Sequence, residues 1–196
     1  LTEFGQFCVE NMVNDPELIW SLIWINIVYN SELVGWFANN VTENHPFDRS
    51  HLSELAYDYF SSSFSKSTID YAFQALMQVF NYSPCGETLC QGAAYDKNHL
   101  VRYEYKGLSE IALAYSLYKF SEANEITSLR IKDFYENDCK NGVVKEFCLS
   151  KEAFEKGLRT LNSAKDRILV ANLSMGLNHI TLQEGLTPMD VLKKLF

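Results

Sequence analysis

The sequence lacks any apolar run long enough to cross a membrane. The longest such run, residues 18–29, is interrupted by Ser21 and Asn26, whereas a spanning helix needs about 18 or more apolar residues. We therefore expect a buried core helix here and no membrane partner. The sequence also shows no basic start followed by an apolar stretch and a small-residue cleavage site, so we expect no secretory signal.

Cysteine is sparse, and its number is odd. A disulfide framework is normally denser and even-numbered, so a reducing compartment is favoured and we expect a cytoplasmic protein. The five cysteines are Cys8, Cys85, Cys90, Cys139 and Cys148.

Metal-ligand patterns are almost absent as well. Cys85 and Cys90 flank Gly86, with His99 further along the chain, and thiolates at short spacing can hold zinc. A structural zinc site needs four ligands, and the sequence offers no second cysteine pair at a suitable spacing. We therefore predict free or packing cysteines, no metal and no cofactor, and keep zinc at Cys85 and Cys90 as the open alternative.

Catalytic motifs are missing too. The four histidines are scattered, and there is no nucleophile elbow, Walker loop, His-Glu-x-x-His or dinucleotide glycine fingerprint. Helical surfaces account for the many carboxylates. We predict that the chain is not an enzyme, the alternative being a cysteine or metal enzyme built on Cys85 and Cys90.

What is present is an ordinary globular composition. Hydrophobic residues make up 47% and charged residues 21%, with 13 Phe and 11 Tyr to fill a core. A chain of 196 residues buries enough surface to need no disulfide or metal, and forms one large domain or two small ones. Since the first residue is Leu1 and not Met, we expect the chain to be part of a longer gene product.

The net charge of −8 is unevenly distributed. Residues 1–106 hold 5 Lys and Arg against 13 Asp and Glu, whereas residues 107–196 hold 12 of each. An acidic surface repels DNA, because neutralisation of phosphates by Lys and Arg supplies most non-specific affinity. Any role with nucleic acid must therefore depend on a local basic patch.

Residues 1–106 are predicted to form an acidic helical unit. Asp15, Pro16 and Glu17 mark the start of the buried helix, since they supply a cap, a first-turn proline and an early acid. Two later helices, one after Asp48 and one over residues 66–80, are joined by the polar turn 61–65. Helix, tight turn, helix is the layout of a helix-turn-helix pair.

Residues 107–196 are predicted to form a winged-helix-like unit. Helices are expected over 108–123, 128–137 and 151–162, followed by two strands that form a hairpin over 167–182 around the turn 174–176. A short final helix begins at Thr187. The predicted fold class is thus mainly α, with two tandem winged-helix-like (helix-turn-helix) units and short β-hairpins, divided into 1–106 and 107–196.

The helix over 66–80 presents uncharged polar groups on its outward face. At 100° per residue this face carries Ser67, Tyr71, Gln74 and Gln78, and amide and hydroxyl groups can contact base edges. Gln74 and Gln78 are therefore candidate DNA-reading residues. The competing interpretation is a plain solvated face, because only Lys66 is placed to anchor a nearby phosphate.

The only positive stretch runs from Lys140 to Arg167, with seven basic and four acidic residues. It coincides with the presumed recognition helix and wing, where DNA-binding proteins contact bases and phosphates. Mixed charges on a helix also serve solubility and i,i+4 pairing, which is the alternative interpretation. The candidate DNA-binding residues here are Lys151, Lys156, Arg159, Lys165 and Arg167.

Several segments resemble a bacterial family described as domain of unknown function 4007. They are LTEFG, NDPELIWSLIWINIVYN, FCLSKEAFEKGLRTL, ANLSMGLNHITL and TPMDVLKKLF, and their order along the chain also matches. The resemblance covers nearly all residues. It implies an intracellular bacterial protein, often encoded near sulfurtransferases of the phosphoadenosine-phosphosulfate-reductase type, in DNA phosphorothioation or phage-defence loci. It supplies no catalytic residues.

The sequence and this resemblance together predict a non-enzymatic, DNA-associated component of a DNA-modification or defence system. The expected partners are DNA and proteins encoded in the same locus. The alternative is a protein-interaction scaffold that uses winged-helix units without contacting DNA. The acidic charge of the first half of the sequence favours this alternative.

Overall fold

The computed structural model describes residues 1–136, 139–173 and 178–196, and the fold in this part is mainly helical with small antiparallel sheets. The α-helices are α1 (Glu3–Asn11), α2 (Pro16–Asn30), α3 (Glu32–Asn40), α4 (Arg49–Phe60), α5 (Lys66–Tyr82), α6 (Glu110–Asn124), α7 (Val143–Phe147), α8 (Lys151–Ser163) and α9 (Pro188–Leu195). The strands are β1 (Ala93–Ala94), β2 (Leu100–Val101), β3 (Ser128–Arg130), β4 (Leu169–Asn172) and β5 (His179–Leu182), and a 3-10 helix spans Ile131–Tyr135.

Capping side chains fix where the helices begin. In the part of the chain described, each α-helix of eight or more residues starts after a side chain that accepts a hydrogen bond from the main chain of its first turn, a contact worth about 1 kcal/mol. These caps are Thr2, Asp15, Ser31, Asp48, Ser65, Ser109, Ser150 and Thr187.

Helix α2 is the core helix that its apolar sequence predicts. Ile19, Leu22, Trp24 and Ile25 have no exposed surface, and they lie on different sides of the helix. Within the described residues, no single helix is long and apolar enough to span a bilayer, although α2 and α3 together have the length and composition and are bent by 106° at their join.

The first region places α3, α4 and α5 ahead of a two-stranded antiparallel sheet. Strand β1 pairs with β2. Phe47, between α3 and α4, forms a single antiparallel bridge to Leu100 in β2. The order is therefore helix, bridge, helix, helix, strand, strand, with the bridge on the last strand.

The second region repeats this order. Helix α6 is followed by β3, then α7 and α8, then β4 and β5. The sheet order is β3-β5-β4, so the early strand again pairs with the last one, Leu129 opposite Ile180, and Ala171 lies opposite Ile180 on the other side.

The helix predicted over residues 128–137 is wrong in its described part. The chain there forms β3 and the 3-10 helix. Leu129 and Ile131 are buried while Ser128 and Arg130 are exposed, a period of two that suits an edge strand on β5. The short α7 was not predicted. The predicted hairpin 167–182 corresponds to β4 and β5, and its turn 174–176 lies outside the described residues.

One hydrophobic core includes buried residues from both regions. Helix α2 packs against α6 and α7, and α3 packs against α7. The division into 1–106 and 107–196 stays a prediction.

Candidate nucleic-acid interface

Helix α8 occupies the third-helix position of the second region and carries three of the five DNA-binding residues predicted there. The Ser150 hydroxyl caps it by accepting from the amide of Ala153 at 3.2 Å. Phe154, Leu158 and Leu161 turn inward and are almost fully buried. This strongly amphipathic pattern leaves the opposite side of α8 to solvent.

Gly157 brings α8 close to α6. A Cβ atom at this position would lie 2.5 Å from Cδ2 of Leu113 on α6, which is closer than van der Waals contact. This close contact with α6 fixes the position of α8. It therefore also fixes the backbone positions from which the exposed side chains of α8 extend.

The exposed side of α8 is charged and partly neutralised. Glu155 lies 3.9 Å from the Lys151 ammonium and 3.1 Å from the Arg159 guanidinium, so it contacts two of the predicted residues. Lys156 is exposed and forms no ion pair with the residues that the structure describes. Glu152 is exposed beside it.

Lys165 and Arg167 follow α8 and lead into β4. Both are exposed and have no ion-pair partner within the described ranges, and Asp166 between them is exposed as well. Tyr118 of α6 fixes the strand that follows, because its hydroxyl donates to the carbonyl of Ile168 at 2.6 Å and accepts from the amide of Gln183 at 3.0 Å.

The predicted residues of the first region lie on a different kind of surface. Gln74 and Gln78 are exposed on α5, as predicted from the periodicity. Tyr71 and Tyr82 on the same helix are 72% and 85% exposed. Beyond Lys66 at its first position, the exposed residues of α5 are uncharged, and the charged Asp70 is half-buried. The exposed residues are Ser67, Thr68, Tyr71, Gln74, Ala75, Gln78, Asn81 and Tyr82.

The cysteine loop shows no grouping of metal ligands. Cys85 is fully buried, and burial raises the pKa of its thiol to about 11. Cys90 is partly exposed with a positive φ of 59°. In the ranges that the structure describes, no three His, Cys, Asp or Glu side chains are grouped so that they could hold a metal ion.

The most unusual polar site joins the two regions and was not predicted. Arg102, just after β2, is 1% exposed. Its guanidinium donates to the carbonyls of Ala38 and Val41 at the end of α3, both at 2.9 Å. It also donates to the carbonyls of Lys145 and Glu146 in α7, at 2.6 and 3.2 Å. We call this set of contacts the Arg102 clamp.

In the part of the chain that the structure describes, no carboxylate forms an ion pair with Arg102, and its direct acceptors are carbonyl and amide oxygens. The carbonyl ends of helices carry partial negative charge, so two helix ends together solvate one cation. The Gln91 side-chain oxygen accepts two further hydrogen bonds, at 2.8 and 3.1 Å, and the guanidinium carbon lies 5.1 Å from the centre of the Phe37 ring. A single side chain thus ties α3 of the first region to α7 of the second.

A second polar contact joins the regions near the loop before α7. Asn141 has a left-handed backbone with φ of 57°. Its amide donates to the Asn39 side chain at 2.9 Å, and its side-chain oxygen accepts from Asn39 at 2.7 Å. A Cβ atom at Gly35 would lie 2.9 Å from the carbonyl of Val28 and 3.2 Å from Asn141, so glycine permits this close approach.

These joining residues gave little signal in the sequence. Arg102 lies in an alternating segment where an arginine is normally solvated, and only the fold brings two helix ends to it. The asparagine pair is separated by about a hundred positions, so no local pattern connects its members.

Searches against protein-family models, curated proteins and solved structures returned no match.

Proposed function

We propose that this chain is a non-enzymatic DNA-associated protein whose second region contacts duplex DNA through α8 and the start of β4. The observation that carries the proposal is the coincidence of the third-helix position with exposed basic side chains. Lys156, Lys165 and Arg167 are the members of this surface without an ion-pair partner among the described residues.

The order of elements supports a winged-helix interpretation. Helix, strand, helix, helix and two strands, with the early strand pairing with the last, is the connectivity of winged-helix domains, in which the third helix enters the major groove. Both regions follow it, the first with the Phe47 bridge in place of a strand. We therefore extend the proposal to two tandem winged-helix-like units.

A role in DNA modification or phage defence is part of the proposal and derives from the sequence resemblance alone. The side chains of this surface favour contacts with DNA phosphates. Lysine and arginine bind the negatively charged phosphates of DNA, and such contacts carry no base specificity. Any preference for a modified backbone is a question for the same binding assay.

The test is DNA binding by a variant with Lys151, Lys156, Arg159 and Arg167 all changed to alanine. We expect its affinity for a short duplex to fall about tenfold or more at low salt, with a shallower dependence of affinity on salt. A matched control changes four exposed basic residues elsewhere, Arg49, Lys97, Lys132 and Lys194, and removes the same charge. Equal binding by both variants would refute the assignment of this surface.

A protein-interaction scaffold is the second candidate, and the exposed face of α5 favours it. Protein interfaces are enriched in tyrosine and depleted in charge at their centres, and Tyr71 and Tyr82 flank the two glutamines on a face without charges. Co-purification with products of neighbouring genes tests this function. Partner capture that survives alanine at both tyrosines would exclude α5 as the docking face.

A further inference from the structure

The Glu146 carboxyl group is completely buried where α7 meets α2 and α6. One of its oxygens, Oε2, accepts a hydrogen bond from the Ser116 hydroxyl on α6 at 2.6 Å. The other, Oε1, has no hydrogen-bond partner among the described residues. A buried carboxylate with one hydrogen bond is unfavourable, and burial accordingly raises the pKa of Glu146 to about 8.

The titratable groups around this carboxyl are themselves acids. Tyr29 lies near it on α2, Tyr115 on α6 and Cys139 in the loop before α7. Burial raises the pKa of each of them, and the proximity of the Glu146 carboxyl adds a smaller rise. None of these groups supplies a positive charge that would stabilise the ionised carboxylate.

The neighbouring charged groups are engaged elsewhere. The Arg102 guanidinium contacts the main-chain carbonyl of Glu146, not its carboxyl group. The charge of Lys145, next in the chain, acts on the Cys139 thiol, where it partly offsets the rise in pKa that burial causes. From the 3-10 helix, Asp133 pairs with Arg130 at 2.8 Å. The Glu146 carboxyl therefore fits this site only in its neutral form.

The same residue joins α7 to the first region through its main chain. The Glu146 carbonyl accepts from the indole of Trp24 on α2 at 2.9 Å and from Arg102. Helix α7 has only five residues, which is too short to be stable without tertiary contacts. A change that displaces the Glu146 side chain therefore also displaces the main-chain carbonyls of α7 that accept hydrogen bonds from Arg102.

We propose that Glu146 is a pH-sensitive latch at the contact between the two regions. When the carboxyl is neutral, α7 is seated against α2 and α6 and the Arg102 clamp is closed. When a proton is lost, the carboxylate is stabilised only in water, so α7 opens and releases the clamp. This inference is independent of the proposed DNA-binding function.

Hydrogen exchange of the α7 amides measures the latch. Between the pKa of the exposed and the buried carboxyl, the ratio of open to closed α7 should rise about tenfold per pH unit relative to a Glu146→Gln variant. Comparing the two proteins at each pH removes the pH dependence of the chemical exchange itself. A ratio that does not change from pH 6 to 8 would overturn the proposal.

Two further readouts keep the test decisive. The amides of α5 should keep their protection while those of α7 lose it, whereas equal loss in both helices would mean global unfolding and no latch. If Glu146→Gln fails to fold, a carbon-13 titration of the glutamate carboxyls in the unaltered chain replaces it. One carboxyl should titrate near pH 8 and move higher in Ser116→Ala, and its absence would equally reject the latch.

Discussion

Helices α5 and α8 hold the same place in a repeated order of elements but present different surfaces. The outer side of α5 carries tyrosines, glutamines and hydroxyls, while that of α8 carries lysine, arginine and glutamate. Both are amphipathic helices held by an apolar inner face, so the frame is shared and only the outer positions differ. Two helices in equivalent positions thus present chemically different outer surfaces, and the binding properties of each surface need separate tests.

The largest expected effect concerns the contact that holds the two regions in one cooperative structure. In Arg102→Met the buried cation is removed and the carbonyls of α3 and α7 lose their donor. Buried acceptors left without a partner are costly, so we expect the free energy of unfolding to fall by about 3 kcal/mol or more. Chemical denaturation measures it.

The control for this prediction is Arg49→Met, which changes an exposed arginine at the start of α4. Its effect should stay within about 0.5 kcal/mol. If Arg102→Met unfolds at nearly the normal denaturant concentration, the clamp does not stabilise the contact between the regions. Two separate transitions in the native chain would show that each region is stable by itself.

The next effect concerns the pH dependence of stability. The pKa of Glu146 is about 8 in the folded chain, above its ordinary value of 4.5. The folded state therefore binds the proton more tightly than the unfolded state does. As the pH rises from 4.5 to 8, the free energy of unfolding of the native chain falls because of this group. Above pH 8 this group causes no further loss of stability. Glu146→Gln should gain stability relative to the native chain by about 1.4 kcal/mol per pH unit within that window.

Thermal unfolding of both proteins at several pH values checks this expectation. Glu152→Gln on the exposed side of α8 is the matched control, because its carboxyl is solvated in both states. A constant difference between native and Glu146→Gln curves would show that the buried carboxyl titrates as an ordinary one.

How far the sequence predicts these features depends on whether the cause is local. The cap at Asp15 predicts where α2 begins, and the helix periodicity over 66–80 predicts that Gln74 and Gln78 are exposed. Strand β3 was mistaken for a helix because its pairing with β5 joins distant residues, and the strand is only three residues long.

The junction could not be predicted for the same reason. Arg102 receives its acceptors from the ends of two helices that lie far apart in sequence, and Glu146 is buried by α2 and α6 although its own neighbours include Lys145. The ion pairs of Glu155 were open to prediction, since i,i+4 spacing brings Lys151 and Arg159 beside it. These ion pairs rank the basic residues of α8 by their availability to a phosphate: Lys151 and Arg159 are paired with Glu155, whereas Lys156 has no ion-pair partner among the described residues.

That ranking gives a smaller effect on the α8 side of the comparison. In Glu155→Gln, Lys151 and Arg159 lose their carboxylate partner and become available to phosphate. We expect DNA affinity to rise a few-fold, about 0.5 to 1 kcal/mol, because an exposed ion pair is worth no more than that. Lys156→Ala should lower affinity more than Lys151→Ala. Fluorescence anisotropy at low and moderate salt measures both.

The opposite ranking, or a Glu155→Gln variant that binds no better, would mean that α8 does not face phosphate. The matched change is Glu122→Gln on α6, which frees Lys119 from a similar surface pair at 2.8 Å. It removes the same charge elsewhere on the chain, so a comparable gain there would point to net charge alone.

The smallest effect belongs to α5. Gln74→Ala and Gln78→Ala together should change the free energy of unfolding by less than about 0.5 kcal/mol, since both side chains are exposed. If α5 reads base edges, this double variant lowers affinity for a preferred sequence by about 1 to 3 kcal/mol per lost bidentate contact while the salt dependence stays unchanged. If α5 is a protein-docking face, DNA affinity does not change at all while partner capture weakens. Because the α8 variants change salt dependence and the α5 variants do not, the two sets of measurements separate phosphate binding from every other role of the shared frame.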